Sequence, residues 1–166
     1  MEEGMFEMLP EKITTELLYM TLIFALIWTV IKLFFAYTIY STLKLIKKEN
    51  QNILPNQSWF VALPFFNIYW NFEVVRRLAD SLNNEFYDRQ IEVEERPTQK
   101  WGGLFAWTFL LSNIPLPPFI ITVIAVLHLV YFITYWVKIH QHKVLLKLHI
   151  QQFGEDYAVE RQTYED

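Results

Sequence analysis

Apolar residues in this chain come in long unbroken runs. Leu17 to Leu43 carries one charge, Lys32; Asn50 to Phe72 carries none; Trp101 to Val137 continues for 37 positions without one. A hydrocarbon core about 30 Å thick needs about 20 apolar residues at 1.5 Å per residue. Residues 17–40 and 119–137 reach that length, and residues 101–116 fall just short, stopped by Pro115, Pro117 and Pro118. The pattern predicts an all-α polytopic membrane protein with three transmembrane helices at 17–40, 101–116 and 119–137. A short Pro-broken segment at 58–72 either re-enters on one side or crosses as a fourth, kinked span. All of it reads as a single membrane domain, 1–166. A soluble bundle would have to hide the same runs in a chain this short, which leaves about 30% of its unfolded surface exposed.

Amphipathic patterns flank the runs. Phe72, Val75, Leu78, Ala79, Leu82 and Phe86 recur at three- and four-residue steps, predicting a helix over 72–88. That helix either lies in the interface plane or covers the ends of the spans. Glu73 and Arg77 stand four apart, at pairing distance on a helix. Beyond Val137 the last helix continues through Val144, Leu145, Leu148 and Phe153 to a cap at Gly154, giving a cytoplasmic helix end at 138–153. The first helix is expected to extend similarly toward Lys48. Residues 154–166 read as a loose polar tail, and 92–99 as a linker.

Lys and Arg orient the chain. If 58–72 crosses, both termini are cytoplasmic, with ten positive residues inside and Lys44, Lys47 and Lys48 outside. If it re-enters, the N-terminus is outside and the C-terminus cytoplasmic, with twelve positive residues inside and Lys12 alone outside. Positive charge in short loops selects the cytoplasmic side, so the count favours the re-entrant form. Pro64-Phe65-Phe66-Asn67 supplies an apex for it. Lys32 then snorkels toward the cytoplasmic interface. The first sixteen residues hold Glu2, Glu3, Glu7, Glu11 and Glu16 against Lys12, so the first run reads as a retained helix rather than a signal peptide.

Composition sharpens the exclusions. Apolar residues are 53%, aromatics 17% and charged residues 19%, with a net charge of −4. That excludes a disordered chain and a nucleic-acid binder built on positive charge. There is no cysteine, hence no disulfide, thiolate metal site or cysteine nucleophile. His140, His142 and His149 do not share one face at ligand spacing, so no metal is expected. Gly102-Gly103 lacks the Lys and Ser/Thr of a phosphate loop, and reads instead as a close-approach point for helices.

The stretch Trp59-Phe60-Val61-Ala62-Leu63-Pro64-Phe65-Phe66-Asn67-Ile68-Tyr69-Trp70, leading into Asn71-Phe72-Glu73-Val74-Val75-Arg76-Arg77-Leu78, resembles small multi-pass bacterial membrane proteins of unknown function. They share an aromatic Pro-x-x-Asn-x-x-Trp elbow, an amphipathic helix and a later pair of spans. Pro64, Asn67, Trp70, Arg76 and Arg77 carry the match, over roughly residues 58–137. The resemblance implies architecture and a bacterial inner membrane; it implies no activity.

Candidate chemistry is sparse. His128 sits mid-span, where an ionisable group is either functional or a neutral ring bonded to a neighbouring helix. Asn67, Asn71 and Asn113 are amides in apolar sequence. Each is expected to pin backbone freed by Pro64 or Pro115, with ligand binding at Asn67 and Asn71 as the other reading. Glu73, with Arg76 and Arg77, completes the elbow. No catalytic constellation or cofactor site is present, so the chain reads as non-enzymatic. Its expected partners are the lipid bilayer and other membrane subunits or further copies of itself. The functional expectation is a structural or accessory subunit, with a small oligomeric transporter or channel as the alternative.

Overall fold

In a computed structural model the described residues are 3–154, with side chains described from residue 14. All regular structure among them is helical: α1 Glu3–Leu43, two 3-10 helices at Lys48–Asn50 and Pro55–Ala62, α2 Phe66–Asp88, α3 Gln99–Ser112 and α4 Pro118–Phe153. The predicted tail at 155–166 lies outside the described residues.

Two stretches, Thr14–Leu43 and Pro118–Phe153, are long and apolar enough to cross a membrane. α3 has 14 residues, about 21 Å at 1.5 Å each, and alone is shorter than a hydrocarbon core. The chain divides into Met1–Phe34 and Phe35–Asp166. In the first unit Leu17, Phe24, Leu26 and Phe34 stand exposed along one helix. Thr21 and Thr29 donate to the carbonyls of Leu17 and Ala25, both at 2.8 Å, so the hydroxyls are satisfied within the helix.

The second unit has a continuous core. Phe35, Phe105, Phe132 and Tyr135 meet edge-on or offset, with ring centroids 5.1–5.8 Å apart. Below them Ile39, Leu43, Leu78, Leu82, Ile139 and Leu146 are sealed from solvent. Gly102 allows α3 to close on α2 and α4. A Cβ there would lie 2.7 Å from Val75 Cγ1 and 2.8 Å from Tyr135 Cε2, whereas Gly103 faces open space.

The last turns of α1 run parallel to α4. Phe35 meets Phe132 and Trp136; Trp136 Nε1 donates to Thr38 Oγ1 at 2.9 Å; Lys143 Nζ donates to Ser41 Oγ at 2.7 Å. Residue numbers rise together along both helices. α2 and α3 are antiparallel, since Val75 faces Gly102 while Phe72 meets Trp107 at 5.3 Å.

Two boundaries differ from expectation, and the end of α4 matches it. α1 ends at Leu43 instead of reaching Lys48: Leu45 and Ile46 bond back three residues, and Gln51 Nε2 donates to the carbonyls of Leu43 and Ile46 at 2.9 and 2.8 Å. The amphipathic helix begins at Phe66 rather than residue 72, so Asn67 and Asn71 lie on it. α4 runs unbroken for 36 residues, about 54 Å, and Gly154 ends it at φ 87°.

Candidate functional site

Residues 58–72 do not form one kinked helix; the chain reverses. Gln57 C=O accepts from Trp70 Nε1 at 2.9 Å, and Phe60 meets Phe66 and Trp70 at 5.3 and 5.2 Å. Deeper in the sequence Asn52 N–H donates to Ser81 Oγ at 2.8 Å. The 44–63 strip therefore lies antiparallel on α2. The reversal is a tight turn: Phe66 N–H reaches Pro64 C=O at 2.7 Å, with Phe65 between them at φ 62°. A bulky residue in this region is strained by about 1–3 kcal/mol. The Phe65 ring is 90% exposed at the apex, with exposed Leu63, Phe66 and Tyr69 around it.

Asn67 and Asn71 are buried, at 4% and 3% exposure. They do not act as pins. Asn67 N–H reaches Leu63 C=O, but among the described hydrogen bonds neither side-chain amide takes part. The N–H groups of Phe66, Asn67 and Ile68 bond to carbonyls of the turn itself. Asn113 does behave as a pin: its Nδ2 donates at 2.7 Å to Phe109 C=O, one of the last carbonyls of α3.

Glu73 collects three donors: Arg77 Nε at 2.6 Å, Arg76 Nη2 at 3.2 Å and Tyr69 Oη at 3.1 Å. Partial burial acts to raise its pKa, but the bonds from Arg77, Arg76 and Tyr69 outweigh it and hold the carboxyl below its usual range. The expected Glu73–Arg77 pair is thus present within a larger cluster.

His128 is buried in an aromatic box. Phe105 and Phe109 stack on it at 5.4 Å and Phe132 at 6.3 Å, while Nδ1 lies 3.3 Å from Thr108 Oγ1 on α3. That arrangement is a ring bonded to a neighbouring helix. His142 Nδ1 donates to Lys138 C=O at 2.7 Å and packs on Phe86, and His149 packs on Phe153 at 4.7 Å. Among the described residues no three potential ligands gather for a metal.

The most tightly built polar cluster lies at the other end of α2. Arg89 Nε meets Glu85 Oε1 at 2.6 Å with both side chains at or below 1% exposure. Glu85 Oε2 accepts from Lys47 N–H and Asn50 Nδ2, both at 2.9 Å, and Asn50 also reaches Asp88 at 2.8 Å. Arg89 Nη1 donates to Gly154 C=O at 3.2 Å. The cluster ties the 44–52 loop and the end of α4 to α2. Sequence reasoning passed over it because Glu85 and Arg89 look like an ordinary solvated pair four residues apart, and no local pattern marks the 44–63 strip that covers that face.

These sites can hold structure, bury one imidazole among aromatic rings and hold a carboxylate between two arginines. They do not align donors and acceptors into a path. No protein-family model, curated protein or solved structure matches the chain.

Proposed function

We propose that the chain is a non-enzymatic integral membrane protein with three passes and a re-entrant hairpin, a structural or accessory subunit of a bacterial inner-membrane complex. One observation carries the reading. Large apolar side chains stand exposed along α1 from Leu17 to Phe34 and along α4 from Phe119 to Val137, while the threonines and the histidine among them are engaged inside the chain. Thr21, Thr29, Thr122 and Thr134 bond their own helix, and His128 bonds Thr108. A surface of that composition is matched by lipid and by other membrane helices.

The parallel run of α1's last turns and α4 supports the topology. Two parallel passes need an odd number of crossings between them. α3 supplies one when the five residues at 113–117 extend it, while the 53–66 hairpin supplies none. The Lys and Arg count favours the N-terminal end of α1 outside and the end of α4 cytoplasmic. Blue-native electrophoresis after mild detergent extraction tests the subunit role. An assembly well above 20.0 kDa with a defined partner or further copies is expected; a lone monomer would contradict it.

A second reading, a small oligomeric transporter or channel, is favoured by Asn67 and Asn71, polar residues in the broken segment whose amides join none of the described hydrogen bonds. Broken segments often line solute sites. Solute flux in liposomes that falls in Asn67→Ala and Asn71→Ala would support it, and unchanged flux would remove it.

A further inference from the structure

Two helix faces unused by the core meet along one line. On α2 the face runs Phe72, Arg76, Asp80; on α3 it runs Trp107, Gly103, Lys100. The steps are of three or four residues, so each set shares a side of its helix. Three contacts fix their register. Phe72 meets Trp107 edge to face at 5.3 Å. Gly102, beside Gly103, touches Val75, beside Arg76. Arg96, ahead of α3, pairs with Asp80 at 3.6 Å and donates its N–H to Asn83 Oδ1 at 3.2 Å. Because the helices are antiparallel, stepping from Phe72 to Arg76 matches stepping from Trp107 to Gly103, and the next turn brings Asp80 beside the Arg96–Lys100 end.

The result is a furrow with a distinct floor and two unlike ends. Its floor is Gly103, where an added Cβ would meet nothing within 4 Å. Aromatic rings wall one end, with Trp107 58% exposed. The other end holds Arg76, Arg77, Arg96 and Lys100 against two carboxylates, Glu73 and Asp80. Glu73 and Asp80 steady three of those side chains, yet positive charge remains in excess. The Arg76 side chain is 59% exposed and that of Arg96 56%.

We propose that this furrow binds an anionic phospholipid, one acyl chain lying over Gly103 against the exposed side of Trp107 and the phosphate resting on Arg76 and Lys100. Guanidinium and ammonium groups match a phosphate, and cations beside a membrane-level apolar groove are the usual setting for an anionic headgroup. The proposal rests on the chain spanning a bilayer.

The test is native mass spectrometry of the full chain in detergent, with added phosphatidylglycerol, phosphatidylcholine of the same acyl chains, or glycerol 3-phosphate. Phosphatidylglycerol is expected to bind in preference to phosphatidylcholine, and glycerol 3-phosphate far more weakly than either. At about fivefold per cation, Arg76→Gln with Lys100→Gln should weaken phosphatidylglycerol about 25-fold and erase the preference. Gly103→Leu should weaken both lipids, and the open space around Gly103 lets that variant fold. Unchanged lipid binding in Gly103→Leu, or in the double Gln variant, overturns the proposal. Loss of a protein assembly in Gly103→Leu with lipid binding intact would instead make the furrow a seat for a partner helix, and also overturns it. Resistance of the parent and variants to alkaline carbonate extraction reports the membrane reading separately: if the parent is extracted, that reading falls, and if only the lipid results fail, it stands.

Discussion

The two adjacent glycines, Gly102 and Gly103, should respond to alanine with opposite signs. At Gly102 the new Cβ would sit 2.7 and 2.8 Å from the two γ-methyls of Val75 and 2.8 Å from Tyr135 Cε2. Neither neighbour can yield cheaply. Tyr135 is fully buried and Val75 nearly so, and a β-branched side chain in a helix has one favoured rotamer. Overpacking of this kind costs about 1–3 kcal/mol, and three simultaneous contacts place it near the top of that range. Removing a helical glycine returns about 0.5–1 kcal/mol, so Gly102→Ala should lose about 2 kcal/mol. Gly103→Ala meets nothing and should gain about 0.5–1 kcal/mol. Two of the three blocking atoms belong to Val75, so Val75→Ala should cost less in the Gly102→Ala background than in the parent. Unfolding of the purified chain in detergent, followed by helical circular dichroism, measures all four variants. Equal stability of Gly102→Ala and Gly103→Ala would refute the packing argument, because depth, helix and substitution are shared and only the neighbours differ.

Other outcomes follow from the polar clusters. Arg89→Ala strands Glu85 in a sealed site and should cost about 3–5 kcal/mol by the same unfolding assay. Asn67→Leu should be as stable as the parent or more so, since the amide it removes leaves no partner behind; a loss above 1 kcal/mol would restore the pin. Phe65→Gly should relieve the strained turn and raise detergent stability by about 1 kcal/mol. His149 is held below its usual pKa of about 6.5, first by burial and then by Arg89. The folded state thus favours the neutral ring, and stability present above pH 6.5 should fall as pH drops below it. His149→Gln should flatten that slope in thermal melts taken from pH 7.5 to 5.

The apolar runs made α1 and α4 legible, because length and absence of charge are properties of sequence alone. The stripe from Phe72 to Phe86 was equally legible, and Val75, Leu78, Ala79, Leu82 and Phe86 are buried as it required. What sequence concealed was the second buried face of α2. Ser81, Glu85 and Arg89 looked wet, yet the 44–63 strip folds over them, and no local period announces a covering strip without a period of its own. The start of α2 at Phe66 was hidden for a related reason: Pro64 marks a break, but the γ-turn that follows releases the helix two residues later. Asn67 and Asn71 were read as pins on the premise that Pro64 leaves backbone groups unmet; Phe66, Asn67 and Ile68 N–H bond to the turn's own carbonyls instead. Gly102-Gly103 was read as one feature, and only neighbours distant in sequence, Val75 and Tyr135, separate their roles.

The central claim, three passes with a hairpin that dips and returns, is tested most directly by single-cysteine labelling in intact cells. The chain has no cysteine, so substitutions at Glu3, Glu49, Phe65, Glu92 and Lys147 report one position each. With an impermeant maleimide the account predicts labelling at position 3 from outside. Positions 49, 92 and 147 should label only after permeabilisation, and position 65, at the apex within the bilayer, should resist on both sides. Labelling at position 49 from outside, with position 3 protected until permeabilisation, would contradict it and establish four ordinary spans.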